Sequence, residues 1–182
     1  LMVHLEGWFD EIDNEEVFQK HMTATRELAE IFEKHNAKVT FEASPETIEA
    51  CGKWENVLLE LQENGHGIGV HADRGDSRNP NYNHEVFTAE IKNMKNEAES
   101  LGLLIQHVSG TCSGLDWAKA SIDAGYEFTT GGVGYCATSM PEEIRPEEYK
   151  NCLNPPECHG NMPLEMSGRI HPWRINTAEG DW

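Results

Sequence analysis

The sequence predicts an α/β fold with parallel strands, and three observations lead there. Short apolar runs alternate with helical segments, several runs end in ionisable residues, and a clear helix start signal follows the second run. Alternation at this spacing implies right-handed crossovers between parallel strands. An eight-fold barrel takes about 250 residues. The chain has 182, so a smaller or incomplete barrel, or an open doubly wound sheet, fits better.

Residues 2–6 read as the first strand, followed by an acidic loop and a helix from about Asn14 to Lys34 with Val17, Met22, Leu28, Ile31 and Phe32 as its apolar face. Ala37 to Ala43 gives the second strand. Ser44-Pro45-Glu46 supplies an N-cap with proline at the first helical position, opening a short helix over Thr47 to Cys51. Trp54, Val57, Leu58 and Leu61 carry the next helix, stopped by Asn64-Gly65. The third strand is Gly67 to His71, separated by a polar loop, Asp73 to Asn83, from a helix over His84 to Leu101. Leu103 to Ser109 is the fourth strand, Leu115 to Ala124 a helix, and Tyr126 to Thr130 the fifth strand. Beyond Gly134, prolines 141, 146, 155, 156, 163 and 172 punctuate the chain, with short strands expected at Leu164–Met166 and Gly168–His171.

No linker-like composition precedes residue 140 and no repeat is visible, so residues 1–182 are expected to form one domain. No stretch approaches the roughly 18 apolar residues of a membrane span, and Leu1-Met2-Val3 leads straight into structure without a signal-type segment. Lys and Arg number 14 against 32 Asp and Glu, a formal charge of −18. This argues against nucleic acid or an anionic membrane as partner and favours a neutral or cationic substrate, although solubility accounts for the excess as readily. Five cysteines without a CxxC pair argue against a thiolate zinc cluster. Cys152 and Cys158 flank a short loop, and Cys112 and Cys136 follow consecutive strands. Either pair could close a disulfide, which would imply an oxidising compartment; buried free thiols are the equal alternative.

The chemistry gathers where strands end, the place where α/β folds bind ligands. Those ends carry His4 and Glu6, Glu42, His71 and Asp73, and His107 with Ser109. His71 and Asp73 share strand parity and should project together. Buried ionisable groups are costly unless paired, which favours use over packing. Taken singly, Glu42 reads equally well as a solvent-facing residue and His107 as a hydrogen-bonded core histidine. Gly131-Gly132-Val133-Gly134 lacks the helix and Lys-Ser/Thr partner of a phosphate loop and reads as a loop after the fifth strand.

The order of segments resembles the polysaccharide deacetylase family of carbohydrate esterases. Val3-His4-Leu5-Glu6-Gly7-Trp8 stands where that family has Thr-Phe-Asp-Asp-Gly, and Lys38-Val39-Thr40-Phe41-Glu42-Ala43 is similar to its Ala-Thr-Phe-Phe-Val strand. Asn64-Gly65-His66-Gly67-Ile68-Gly69-Val70-His71 is similar to its Glu-Gly-His-Glu-Ile-Gly-Asn-His segment, and Ala124-Gly125-Tyr126 to its Leu-Gly-Tyr turn. The likeness covers residues 2 to 130.

The resemblance implies an irregular (β/α) barrel of about seven strands, complete or not, that hydrolyses N- or O-acetyl groups on a carbohydrate in a secreted or periplasmic setting. It also implies a divalent metal, commonly zinc, held by an aspartate and two histidines, with a second aspartate as base and a late histidine as acid. The pattern departs in three places. The second metal histidine falls at Gly75, and the third motif's arginine and Pro-Tyr-Gly turn are replaced by His107 to Cys112. Only one acid, Glu6, survives in the first motif, as ligand if Leu5 replaces the base, or as base if Gly7 replaces the ligand. A rebuilt metal set of Glu6, His71 and Asp73 is expected, with Glu6 and His171 as catalytic residues. His4, His107, Trp8 and Arg174 are expected to contact the sugar, aromatic residues such as Trp54, Trp117, Trp173 and Tyr135 being further stacking candidates. The alternatives are a metal-free acid/base pair and a catalytically inactive carbohydrate-binding domain.

Overall fold

All five apolar runs before residue 131 form strands, the first four being β1 (Met2–Leu5), β2 (Thr40–Ala43), β3 (Gly67–His71) and β4 (His107–Ser109). The computed structural model describes residues 1–7, 10–74, 83–130, 143, 176–177 and 180–181. The chain divides into two compact units, one of Leu1–Asp73 with Lys92–Ser109, the other of Arg74–Ile91 with Gly110–Trp182.

In the first unit β1 to β4 lie side by side in chain order, all neighbours parallel. The register sets His4 opposite Glu42, Glu42 opposite Gly69, and His71 opposite Ser109. Alternation then sorts the strands into two faces. Leu5, Phe41, Ala43, Ile68, Val70 and Val108 are buried on one. The other carries His4, Glu42, Gly69, His71, His107 and Ser109.

Helix α1 (Glu15–Lys34) starts at Asn14, whose Oδ1 accepts from the backbone of Glu16 and Val17. Its buried stripe is Phe18, Met22, Thr25 and Ala29, rotated from the apolar face read in the sequence; Ile31 is 53% exposed. Both sets satisfy helical spacing, and tertiary packing chose the one that includes a threonine. Thr25 can be buried because its hydroxyl donates to the His21 carbonyl. Helix α2 (Pro45–Lys53) begins at the Ser44 N-cap with proline in its first turn. Helix α3 (Val57–Glu63) begins at the Asn56 cap, later than Trp54, whose indole instead donates to the Glu11 carbonyl at 3.0 Å. Gly65, at φ +89°, turns the chain out of α3 and into β3.

β4 is shorter than expected because side chains capture the backbone that precedes it. The Leu104 N–H donates to Gln62 Oε1 at 2.7 Å, and the Ile105 carbonyl accepts from Lys95 Nζ. Helix α4 (His84–Ser100) is capped by Asn83, whose Oδ1 accepts from Val86. In the second unit α5 (Trp117–Asp123) starts at Asp116, and Tyr126 donates its hydroxyl to the Ile91 carbonyl at 2.8 Å. β5 (Phe128–Thr130) extends the β-α series to five strands among the described residues, and β6 (Asn176–Thr177) pairs antiparallel with β7 (Gly180–Asp181).

The fold is therefore α/β with parallel strand order in the first unit. No helix among the described residues is long and apolar enough to cross a membrane. Strands expected at 164–166 and 168–171, the 131–134 loop and Cys136, Cys152 and Cys158 lie outside the described residues. Cys51 is a buried free thiol, its pKa pushed up to about 11 by desolvation.

The packing of α1 gives a direct test. Phe18→Ala should lose about 3–5 kcal/mol and Ile31→Ala about 0.5 kcal/mol or less in urea denaturation. The reverse ranking would place the sequence-derived face against the core.

Candidate metal centre

The polar face of the first unit is organised by Glu42, whose side chain is wholly buried. Three groups from other strands meet its carboxylate. His4 Nε2 of β1 lies 2.7 Å from Oε2, Ser109 Oγ of β4 donates to Oε2 at 2.7 Å, and His107 Nε2 lies 3.1 Å from Oε1. A carboxylate that accepts from all three can be buried without leaving a naked charge.

The position of Gly69 follows from these contacts. β3 runs between β2 and β4, so His107 must cross β3 to reach Glu42. It does so over Gly69, where an added Cβ would stand 2.5 Å from His107 Nδ1 and 3.2 Å from its Cγ. Any side chain there obstructs the crossing.

Proton accounting then fixes one imidazole. The single Ser109 hydroxyl proton goes to Glu42, so Ser109 Oγ accepts from His71 Nδ1, 2.8 Å away. His71 therefore carries its proton on Nδ1, an assignment made from the network, and Nε2 keeps its lone pair. His4, facing Glu42 through Nε2, likewise turns Nδ1 outward. Burial first, then the neighbouring His4, pushes the His71 imidazole below its ordinary value, while the Glu6, Glu42 and Asp73 carboxylates oppose this. Burial also lowers His107, against the pull of Glu42. Both effects favour neutral rings.

Glu6 completes the group. Its Oε1 lies 3.7 Å from His4 Nδ1 and 3.6 Å from His71 Nε2, and the three donor atoms lie within 4.8 Å of one another. The imidazoles of His4 and His71 stack with centroids 4.1 Å apart. Ligands held about 2.0–2.2 Å from a tetrahedral ion stand about 3.3–3.6 Å from each other, close to the two Glu6 spacings. Among the described residues this is the one cluster of at least three such donors.

The backbone beside Glu6 is held by a relay of hydroxyls. The Gly7 N–H donates to Ser44 Oγ at 3.0 Å, Ser44 Oγ to Thr47 Oγ1 at 3.3 Å, and Thr47 Oγ1 to the Leu5 carbonyl at 3.2 Å. An added Cβ on Gly7 would meet Thr47 Oγ1 at 2.9 Å. The same serine that caps α2 thus fixes the residues on either side of Glu6.

Of the residues expected from the sequence, the structure brings Glu6 and His71 together and adds His4 to them. Asp73, expected as the third ligand, contributes no donor atom to the group. The parity argument that paired it with His71 fails because Asp73 lies past the end of β3 in the left-handed region, at φ +43°. Its charge still acts on His71. Glu42 does not face solvent, and His107 is a largely covered partner of Glu42. Trp8, His171 and Arg174 lie outside the described residues. Glu42 and Ser109 were visible only as strand-end polar residues; a carboxylate between Phe41 and Ala43, in a strand flanked on both sides, was the signal that it needed buried partners. Ser109 is 2% exposed and stands between His71 and Glu42, an arrangement that orients an imidazole rather than presenting a nucleophile.

Comparison with family models, curated proteins and solved structures returns no match.

Gly69→Ala should destabilise the fold by about 1–3 kcal/mol. Because the clash is with His107, the loss should shrink when His107→Ala is present, giving a coupling of about 0.5 kcal/mol or more in a double-mutant cycle. Strictly additive losses would show that His107 does not cross Gly69.

Proposed function

We propose that the chain is a metal-dependent hydrolase that removes acetyl groups from a carbohydrate, with His4, Glu6 and His71 holding a divalent ion, zinc by donor type. The observation that carries this reading is the convergence of two imidazole nitrogens and one carboxylate oxygen at an exposed rim. Two histidines and a glutamate form a known catalytic zinc set that leaves a position open for substrate. A formal charge of −18 suits the approach of a cation.

When bound, such an ion acidifies water and polarises an acyl carbonyl. The chain's own residues supply the rest. Glu6 would serve as ligand, one of the two roles that the resemblance leaves it. His171 protonates the leaving group. By the resemblance, Trp8 and Arg174 would contact the sugar, whereas His107 is taken up by Glu42.

The carbohydrate and acetyl components of this reading rest on the segment order over residues 2–130. With them go an irregular barrel of about seven strands spanning residues 1–182 and a secreted or periplasmic location. A disulfide at Cys112 would go with an oxidising compartment. A second reading, an inactive carbohydrate-binding domain of the same fold, is favoured by Gly75 at the second histidine position of the resemblance.

Metal analysis of the purified chain should find one zinc per molecule, and acetylated oligosaccharides should release acetate. Glu6→Ala and His71→Ala should each lose the metal and fall to the chelator-treated rate. Unchanged turnover in both variants would reject the assignment, and sugar binding without metal or turnover would favour the second reading. Alkylation of the unreduced, denatured protein should label Cys51 and spare Cys112; labelling of both would speak against an oxidising compartment.

A further inference from the structure

We propose that Glu42 and Ser109 are positioning residues that lock His71 in its Nδ1–H tautomer, so that Nε2 is the nitrogen offered to a metal ion. The same carboxylate holds His4 by its Nε2 edge. This inference rests on the metal-centre reading above, but concerns residues that touch neither ion nor substrate.

The argument is one of donors and acceptors. Glu42 is wholly buried, and its oxygens are met by His4, Ser109 and His107, with Ser109 donating to Oε2. Ser109 Oγ lies 2.7 Å from Glu42 Oε2 and 2.8 Å from His71 Nδ1. With one hydroxyl proton committed to the carboxylate, the serine can only accept from the imidazole. A neutral His71 must then leave Nε2 unprotonated, and that atom lies 3.6 Å from Glu6 Oε1. Without the serine, nothing in this relay would favour Nδ1–H over the alternative, which places a proton where the ion should sit. Buried partners of this kind set which ring nitrogen is free and raise its basicity.

Charge points the same way. The Glu6 carboxylate beside the site and the Glu42 carboxylate behind the rings both favour a cation at the imidazole nitrogens. Glu42 would therefore contribute to affinity through His4 and Ser109 without coordinating.

Nitrogen-15 NMR of the imidazoles in metal-free full-length protein, recorded at about pH 8 where ordinary histidine is neutral, tests the lock without any variant. His71 should show a protonated Nδ1 and an unprotonated Nε2. Ser109→Ala should shift it toward the Nε2–H form and lower zinc affinity, measured by chelator competition, by about 10–100-fold. Ser109→Thr, which keeps the hydroxyl, should restore both. Glu42→Gln should act like Ser109→Ala, and because it also removes a buried charge the serine variants carry the test if it does not fold.

A wild-type His71 protonated on Nε2 would overturn the proposal, as would wild-type tautomer and zinc affinity in Ser109→Ala. If the wild type shows the expected tautomer but binds no zinc, the lock is supported and the metal centre is overturned instead.

Discussion

A single buried carboxylate governs the polar face of this protein. Taking Glu42 out of water costs several kcal/mol, and the cost is offset only where donors meet it with good geometry. Here they come from β1 and β4, the strands on either side of the β2–β3 pair. The requirement fixes the parallel register, since a shift of one residue on any strand would turn its donor to the apolar face. It also fixes a gap. Gly69 is not there for backbone freedom but because His107 has to pass over β3.

The two faces of the strands divide the labour. Phe41, Val70 and Val108 have no exposed surface and supply the area removed from water. The opposite face spends part of that stability on imidazoles and a carboxylate. The division explains why the helices pack as they do. α1 presents the stripe that fits the core, even at the expense of Ile31, whose burial would by itself be more favourable than that of Thr25. It also explains why β4 contributes only three residues to the ladder: Gln62 and Lys95 have taken the backbone groups that would have extended it.

Much of this was legible in the sequence. β3 begins and ends where its composition places it, and Ser44-Pro45 opens α2 as read. The strand ends collect ionisable residues in sequence and structure alike. What the sequence does not carry is which of those residues face one another, because that depends on register between strands far apart in the chain. Parity paired His71 with Asp73, yet the alternation ends with the strand, and φ +43° at Asp73 breaks it. The partner that spacing could have offered His4 of β1 was Glu6, two residues on and just past the strand's end. Glu42 was ambiguous for the same reason: alone it reads as exposed, and only the presence of a neighbour on each side forces it inward.

The arrangement separates what must be rigid from what must adapt. Glu42, Ser109 and His107 are buried or nearly so, and His71 is 9% exposed, so their relative positions are set by packing. Glu6 is different. Its side chain is 69% exposed while its flanking backbone is tied down by the Gly7–Ser44–Thr47–Leu5 relay. A carboxylate on a fixed backbone can swing by rotamer between the two imidazoles and solvent at small cost. An incoming ion would then recruit Glu6 last, onto nitrogens already oriented from behind. On the proposed metal reading, this ordering would concentrate the preorganisation in the histidines and leave Glu6 to follow the ion.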